Sequence, residues 1–463
     1  MAAVPQGGYD GHGRGDSCLI HYLQKRLPNE LFFRMTEFMD DKSLLNFRFA
    51  CRDLELALLP SIQRRFFTKR HICLNETSLR GLSALSDQPK LASSISSISV
   101  GCIHTITLRD NQRDDNELFI DCGYDVDMLT HAFSNMPRLQ DVTINYTPFF
   151  SRLNTSSDMA AALARDKPCK LLRKLLRALA NSGRELENLD LDHHGGTGGG
   201  FPLSDLHMSD SLFETLSGPL RSVTGLTLAL DPAHDTTQDN YTATLVRFLG
   251  IPRALKRLRL NFDRDARSTN RILEILFRAV PPPMVHLTQL DLGKMTTTID
   301  ILVGFIRALA KTLTKLQFFR IGLRFNAGHD YPPDHDAPEP TGDPPHIEAT
   351  LWKIVFQKLA SMSELERLTK FYAGFLTERL RKDHVAFRHT SQDGDSEMRT
   401  TCEYVGVAAH KFLGKLCEEV AIPSPRRDIL PWVLDMDTDE ESEDDISEVE
   451  EEVDEMDDAN DNI

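Results

Sequence analysis

Two histidines ahead of a glycine run are the first place in this chain where residue types and spacing could do chemistry. His193 and His194 follow Leu189-Asp190-Leu191-Asp192 and precede Gly195-Gly196-Thr197-Gly198-Gly199-Gly200. A glycine-rich loop after a strand can wrap a phosphate, but that chemistry needs Gly-Lys-Ser/Thr opening a helix, and Phe201-Pro202 stands there instead. The run is read as a flexible loop. Asp192, His193 and His194 would need a further ligand from elsewhere to hold a metal, and adjacent histidines rarely converge on one ion. No metal site and no cofactor are expected.

Other catalytic signatures do not occur. There is no Gly-x-Ser-x-Gly elbow and no His-Glu-x-x-His pair. The eight cysteines are scattered, with no Cys-x-x-Cys, which is the usage of a reducing compartment. Cys402 and Cys417 are placed on helices without an ordered base nearby, so packing is their expected role. The chain is not expected to be an enzyme. Any part in catalysis would come from positioning another enzyme's substrate.

The elements that would do such positioning begin near the N-terminus. Pro28 suits a first helical residue. Leu31, Phe32, Met35, Phe38 and Met39 then recur on one helix face. Asp40 and Asp41 break that helix and cap a second, which carries Leu44, Leu45, Phe47 and Phe49. Cys51-Arg52 ends it, and Asp53 can cap a third helix with Leu54, Leu58, Ile62 and Phe66. Three helices this short carry more apolar surface than they can bury among themselves, so part of it must meet a partner or the rest of the chain.

Leu27-Pro28, Leu31, Leu44-Leu45 after an acidic turn, and Cys51-Arg52 occur in the order found in F-boxes, and the stretch Leu27 to Arg52 resembles one. It departs at Leu54, where many F-boxes carry Trp. The run Asp40-Asp41-Lys42-Ser43-Leu44-Leu45 and the end Ala50-Cys51-Arg52-Asp53-Leu54 look most like the F-box proteins of filamentous fungi. The resemblance covers about a tenth of the chain. It implies docking on the Skp adaptor of a cullin–RING ubiquitin ligase through Leu27, Pro28, Leu31, Leu45, Phe49, Cys51 and Arg52.

A second pattern fills the middle of the chain. An apolar residue, two others, then apolar–polar–apolar recur at Ile103 (Ile106, Leu108), Leu139 (Val142, Ile144), Leu186 (Leu189, Leu191), Val223 (Leu226, Leu228), Leu255 (Leu258, Leu260), Leu287 (Leu290, Leu292) and Leu313 (Leu316, Phe318). This is the Leu-x-x-Leu-x-Leu spacing of a leucine-rich repeat, with starts 36, 47, 37, 32, 32 and 26 residues apart. Helical patterns lie between, at Met159 to Asn181, Thr242 to Leu249, Arg271 to Val280 and Ile299 to Leu313. The expected fold class is α/β: a three-helix F-box, then an irregular leucine-rich-repeat-like solenoid of parallel strands with outer helices, a helical cap and a disordered acidic tail. An ordinary doubly wound α/β domain is the alternative.

The expected divisions are a disordered start at 1–22, the F-box at 23–70, the array at 71–329, a proline-rich loop at 330–345, a helical cap at 346–434 and the tail at 435–463. Within the cap, His346 to Arg381 and Glu403 to Val420 read as helical, and Asp383 to Met398 as polar. Charge supports the last division. The net charge is −16, from 53 Lys and Arg against 69 Asp and Glu. From Asp435 onward there are 17 acidic residues and no Lys or Arg. The remainder, 53 basic against 52 acidic, is nearly neutral and has no basic stripe, so nucleic acid is not an expected partner. The tail also carries Thr438, Ser442 and Ser447, each with an acidic residue three positions later. No run of 18 apolar residues occurs, so no membrane partner is expected, and the absence of a signal-like start points to cytoplasm or nucleus.

These observations lead to one main expectation: a substrate-recognition adaptor of a Skp–cullin–F-box ligase, holding an unknown protein target on the array. One face of each strand should be open, which nominates Asn188, Asp190, Arg257, Arg259, Gln289 and Asp291 as target contacts. The alternatives are a scaffold that binds the Skp adaptor without a cullin, and an acidic-tailed binder of basic proteins such as histones.

Overall fold

The computed structural model describes residues 29–50, 52–101, 122–144, 168–192, 200–231, 238–262, 266–278, 284, 286–324, 350–378, 384–390, 396–407 and 409–421. Leu27, Pro28, Cys51, the Ile103 repeat, His193, His194, the proline-rich segment 330–345 and the acidic tail lie outside the described residues. Among the described residues no helix is long and apolar enough to cross a membrane.

The chain opens with a helical module: α1 (Asn29–Glu37), α2 (Asp41–Phe49) and α3 (Arg52–Ile62), the last running on into a wider turn at Gln63–Phe67. Asp40 caps α2, its carboxylate accepting from Ser43 N at 2.7 Å. Asp53 does not cap, because α3 already begins at Arg52. The module has a core of its own, with Leu44, Leu54, Leu58 and Ile62 packed by Phe33, Met39, Phe47 and Phe66.

Beyond the module, ten successive strand positions build one large sheet. The strands are β1 (Lys69–Cys73), β2 (Ser97–Gly101), β3 (Asp141–Ile144), β4 (Asn188–Leu191) with its short continuation β5 (Phe201–Pro202), β6 (Gly225–Asp231), β7 (Arg257–Phe262), β8 (Gln289–Thr298), β9 (Lys315–Arg324), and β10 (Lys370–Gly374) with its continuation β11 (Thr377–Glu378). They lie in chain order and pair in parallel throughout. A doubly wound sheet reverses its order at a switch point. This one does not, so its order is that of a repeat solenoid. The tenth position is β14 (Thr401–Val405), which pairs antiparallel with β10 and ends the row.

The strands carry the expected motif, with two differences. β2 is built on Ile95, Ile98 and Val100, eight residues before the Ile103 position that the sequence pattern marked, which lies outside the described residues. β10 is built on Leu368, Phe371 and Ala373, inside a stretch that reads as helix from its apolar density. The register pairs Phe371 with Leu316, so the array continues past 329. The first residues of the motif, Ile95, Leu139, Leu186, Val223, Leu255, Leu287, Leu313 and Leu368, are all 2% exposed or less.

A regular backbone pattern joins the repeats. Before each strand two consecutive N–H groups converge on one carbonyl of the preceding repeat, at 2.7–3.2 Å. The pairs are Ser96 and Ser97 on Thr68, Gln140 and Asp141 on Ser96, and Glu187 and Asn188 on Gln140. Next come Thr224 and Gly225 on Glu187, Lys256 and Arg257 on Thr224, and Thr288 and Gln289 on Lys256. The last are Thr314 and Lys315 on Thr288, and Thr369 and Lys370 on Thr314.

Helices cover one face of the sheet: α4 (Glu76–Ser86), α5 (Pro89–Ala92), α6 (Tyr124–Asn135), α7 (Pro168–Ser182), α8 (Asp210–Leu220), α9 (Gln238–Leu249), α10 (Ala266–Arg278), α11 (Ile299–Leu309) and α12 (Thr350–Ala360). The major ones pack on one another in turn, α4 on α6, α6 on α7, α7 on α8, and α9 through α12 in sequence. Between the layers lies one continuous apolar core from Ile72 to Val420. Buried ends of polar pairs stitch it, as where Lys174 on α7 meets the fully buried Asp125 on α6 at 2.8 Å.

The expected helical cap is instead mixed. After α12 come β10 and β11, a hairpin of β12 (Ala386–Thr390) and β13 (Ser396–Arg399), then β14, α13 (Ala409–Glu419) and β15 (Val420–Ala421), which pairs with β12. The polar stretch 383–398 supplies the hairpin, and the helix expected over 403–420 starts only at Ala409. An antiparallel strand can close the row because it needs no crossover helix. Trp352 anchors the junction: its indole donates to Thr377 O at 3.0 Å and its ring packs 5.8 Å from Phe318.

Leu258→Ala in β7 is expected to lower stability by about 2–5 kcal/mol, because the side chain is enclosed. Leu56→Ala, at an exposed position of α3, is expected to stay within about 0.5 kcal/mol. Denaturant midpoints of the two variants check the difference.

Candidate functional site

Two surfaces stand out. The first is on the helical module. The sequence pattern put Leu31, Phe32, Met35, Phe38 and Met39 on one apolar face, and of these Leu31, Met35 and Phe38 point outward, with Phe38 82% exposed. The inward positions of α1 are Phe33, which packs on the module core, and Thr36, which is buried. Thr36 Oγ1 donates to Phe33 O at 2.7 Å and meets Ser61 Oγ at 3.0 Å, so a hydroxyl holds the interior place that a larger apolar residue would take. Of the residues nominated for adaptor docking, Leu31 is 53% and Phe49 77% exposed. Leu45 is half-buried, and Arg52 opens α3. Arg48 stands 5.7 Å over the Phe49 ring and pairs with Glu55 at 2.7 Å, which fixes the end of α2. The N-H of Ser43 holds the Asp40 carboxyl below its ordinary range, so the cap stays ionised at neutral pH.

The second surface is the sheet face away from the helices. Alternation puts the leucines inward and the residues between them on this face. Register then assembles two rows across the strands. One runs Asp141, Asn188, Gly225, Arg257, Gln289, Lys315, Lys370. The other runs Thr143, Asp190, Thr227, Arg259, Asp291, Gln317, Tyr372. All six residues nominated as target contacts fall in these two rows, on β4, β7 and β8. Asp141, Thr143, Gly225, Thr227, Lys315 and Gln317 hold the same two motif positions in strands that the sequence pattern marked. Lys370 and Tyr372 were hidden because their strand reads as helix.

Bonds among these side chains hold the face in place. Asn188 Nδ2 donates to Asp141 at 2.5 Å, and Arg257 Nη2 donates to Asn188 Oδ1 at 2.5 Å. The second bond crosses an entire strand. It can do so because the intervening residue is Gly225, where a Cβ would overlap Asn188 Oδ1 and lie 2.9 Å from Arg257 Nη2. In the second row the Gln317 amide, turned to suit its neighbours, donates to both Asp291 oxygens at 3.0 and 3.1 Å and accepts from Lys315 Nζ at 3.3 Å. Burial pushes the Asp291 carboxyl up, while Lys315 and Arg259 pull it down. Further along the same face Asn261 donates to the buried Asp192 at 2.7 Å, with Arg259 3.7 Å from the same carboxylate.

Asp192 is therefore engaged in the sheet. Gly200, at the other end of the glycine run, allows β5 to lie against β6: a Cβ there would overlap the backbone of Ala229 and Leu230. Among the described residues no three His, Cys, Asp or Glu side chains gather as a metal would require. Cys402 lies on strand β14 rather than on a helix, and burial pushes its thiol up to about 12, so it is protonated and unreactive at neutral pH. Burial raises the thiols of Cys73 and Cys417 as well. Fixed charges and amides spaced about 4.8 Å apart along each row form an ordered polar surface.

Gly225→Ala is expected to lower stability by about 1–3 kcal/mol through overlap with the amide and guanidinium. Adding Asn188→Ala is expected to recover part of the loss, because it removes the overlapped group. Strict additivity of the two changes in a double-mutant cycle would show that Asn188 and Arg257 do not meet across Gly225.

No family model and no curated protein matches the chain. Among solved structures, a crystal structure of a TLR13–ssRNA13 complex matches at 13% identity over 64% of this chain, with a TM-score of 0.23. The matched chain spans 38% of that protein's length, and at this score the likeness adds nothing to what the strand order shows.

Proposed function

We propose that the chain is a substrate-recognition adaptor of a Skp–cullin–F-box ubiquitin ligase. The helical module docks on the Skp adaptor, and the open sheet face holds a protein target. The observation that carries this reading is the division of apolar residues in the module. It fills a core of its own and still presents Leu31, Met35, Phe38 and Phe49 to solvent. Small helical units seldom expose such large side chains without a partner to cover them. Leu31 and Phe49 are also two of the positions at which the F-box resemblance implies adaptor contacts.

The array supports the second half of the reading by its form. A row of parallel strands gives a long rigid face whose side chains are held by one another, which suits recognition of an extended or folded protein surface. Holding the target beside a charged ubiquitin-transferring enzyme would raise effective concentration, and this chain would contribute no covalent step.

Leu31→Asp with Phe49→Asp is expected to weaken binding to purified Skp adaptor by about 30-fold or more, since buried aromatic and aliphatic anchors cost about 2 kcal/mol or more when lost. Both side chains are exposed, so the variant should melt like wild type, whereas Leu45→Asp would also disturb the half-buried core side of α2. Failure of the wild type to bind the adaptor would sink the proposal. Binding of the adaptor without assembly with cullin in a cell extract would make the chain a scaffold instead.

On the sheet face, Arg257→Glu with Arg259→Glu is expected to abolish capture of the target while leaving adaptor binding unchanged. Retention of every target interaction in that variant would move the target site off this face.

A further inference from the structure

From β2 to β10 the open sheet face is unequal in charge. Strands β2 to β6 hold Asp141, Asp190 and Asp231 and no Lys or Arg. Strands β7 to β10 hold seven Lys and Arg, and the one carboxylate among them is Asp291. In the first row of that half, Arg257, Lys315 and Lys370 follow one another with only Gln289 between. Asp291 is already engaged by the Gln317 amide and lies near Lys315 and Arg259, so an approaching anion meets a compensated carboxylate.

One further cation is held close by. Lys294, Arg320 and Phe375 adopt left-handed backbone (φ 53, 54 and 53) directly after Gly293, Phe319 and Gly374, which are paired across β8, β9 and β10. Three neighbouring strands thus bulge at the same level, which lets pairing resume beyond it at Met295 and Ile321. The bulge brings the exposed Arg320 guanidinium 5.5 Å over the Phe319 ring.

We propose that this basic half of the face is occupied by the chain's own acidic segment, residues 435–463. Charge complementarity is direct: 17 carboxylates and no cation on one side, and on the other seven cations over β7 to β10 against the compensated Asp291, with Glu403 on the edge strand β14. Connectivity fits as well. The described chain ends at Ala421 in β15, whose partner β12 abuts β14, the strand next to β10. Residues 422–434 can span about 45 Å when extended, whereas Arg257 and Lys370 are three strand spacings, about 14 Å, apart. A tether of this length to the last described strand of the same molecule gives the segment an effective concentration in the millimolar range. The docked segment would compete with an acidic target for these cations, and screening by salt or an added basic protein would release it.

Carbodiimide cross-linking of the full-length chain tests this. The expected products, within the monomer, join carboxylates of residues 435–461 to Lys315 and Lys370 and leave Lys69 and Lys90, near the far end of the sheet, unlinked. They should vanish in 1 M salt, where the screening length is about 3 Å. They should fall several-fold in Arg257→Gln with Arg259→Gln, which leaves both lysines in place. If a melting curve shows that variant unfolded, Arg320→Gln, at an exposed position, replaces it. Equal labelling of Lys69 and Lys90, indifference to salt and to the variant, or products found only in covalent dimers would overturn the proposal. No adaptor or target is present in the experiment, so its failure leaves the docking reading above untouched.

Discussion

The convergence of two backbone N–H groups on one carbonyl, repeated from Thr68 to Thr314, is the interaction on which the rest of the array depends. After Thr68, each carbonyl that accepts belongs to a residue whose own N–H donates to the repeat before it. The register of every strand is therefore set at its first residue, ahead of any side-chain contact. Ser and Thr suit these positions because a hydroxyl can add a third bond to the same carbonyl. Thr288, Thr314 and Thr369 do so at 3.0–3.1 Å. The residue just before them is apolar and enclosed, so each turn is tied at once to the core and to its neighbour.

Fixed register has two consequences for the open face. Side chains at equivalent motif positions must line up, whatever the sequence distance between them, and Asn188 and Arg257 meet although 69 residues apart. Wherever large groups crowd, a neighbour must be small. Gly225 gives room to the Arg257–Asn188 bond, and Gly293 leaves room for the Asn261 amide. The paired bulges obey the same constraint: one left-handed residue in a single strand would shift its later half out of step with both neighbours, so all three strands carry it. Left-handed backbone at a non-glycine residue costs about 1–2 kcal/mol. The pairing that continues on both sides of the bulge offsets that cost.

The helical module follows a different logic. Its core is separate from that of the array. Contacts such as Gln63 to Lys90 O and Arg70 to Phe66 O link the two through polar groups at the first strand. A unit that packs independently can leave its apolar stripe outward without weakening the array.

The sequence by itself determined the class of the array, because a buried strand must alternate and a repeat must bury the same positions each time. Leu186, Leu189 and Leu191 therefore announce their strand without any neighbour, and the open positions Asn188 and Asp190 follow from parity. It also determined the α2 cap, since Asp40 and Ser43 are close in sequence. Tertiary structure decided what depends on partners distant in the chain. Phe371 reads as part of a helix until its pairing with Leu316 makes it a strand residue, because an isolated apolar run suits either form. The same holds for α1: its apolar period marks a stripe, but which stripe faces inward was settled by Phe33 meeting the module core and Thr36 meeting Ser61. Periodicity records that a face exists, and only packing against another element says which face is buried.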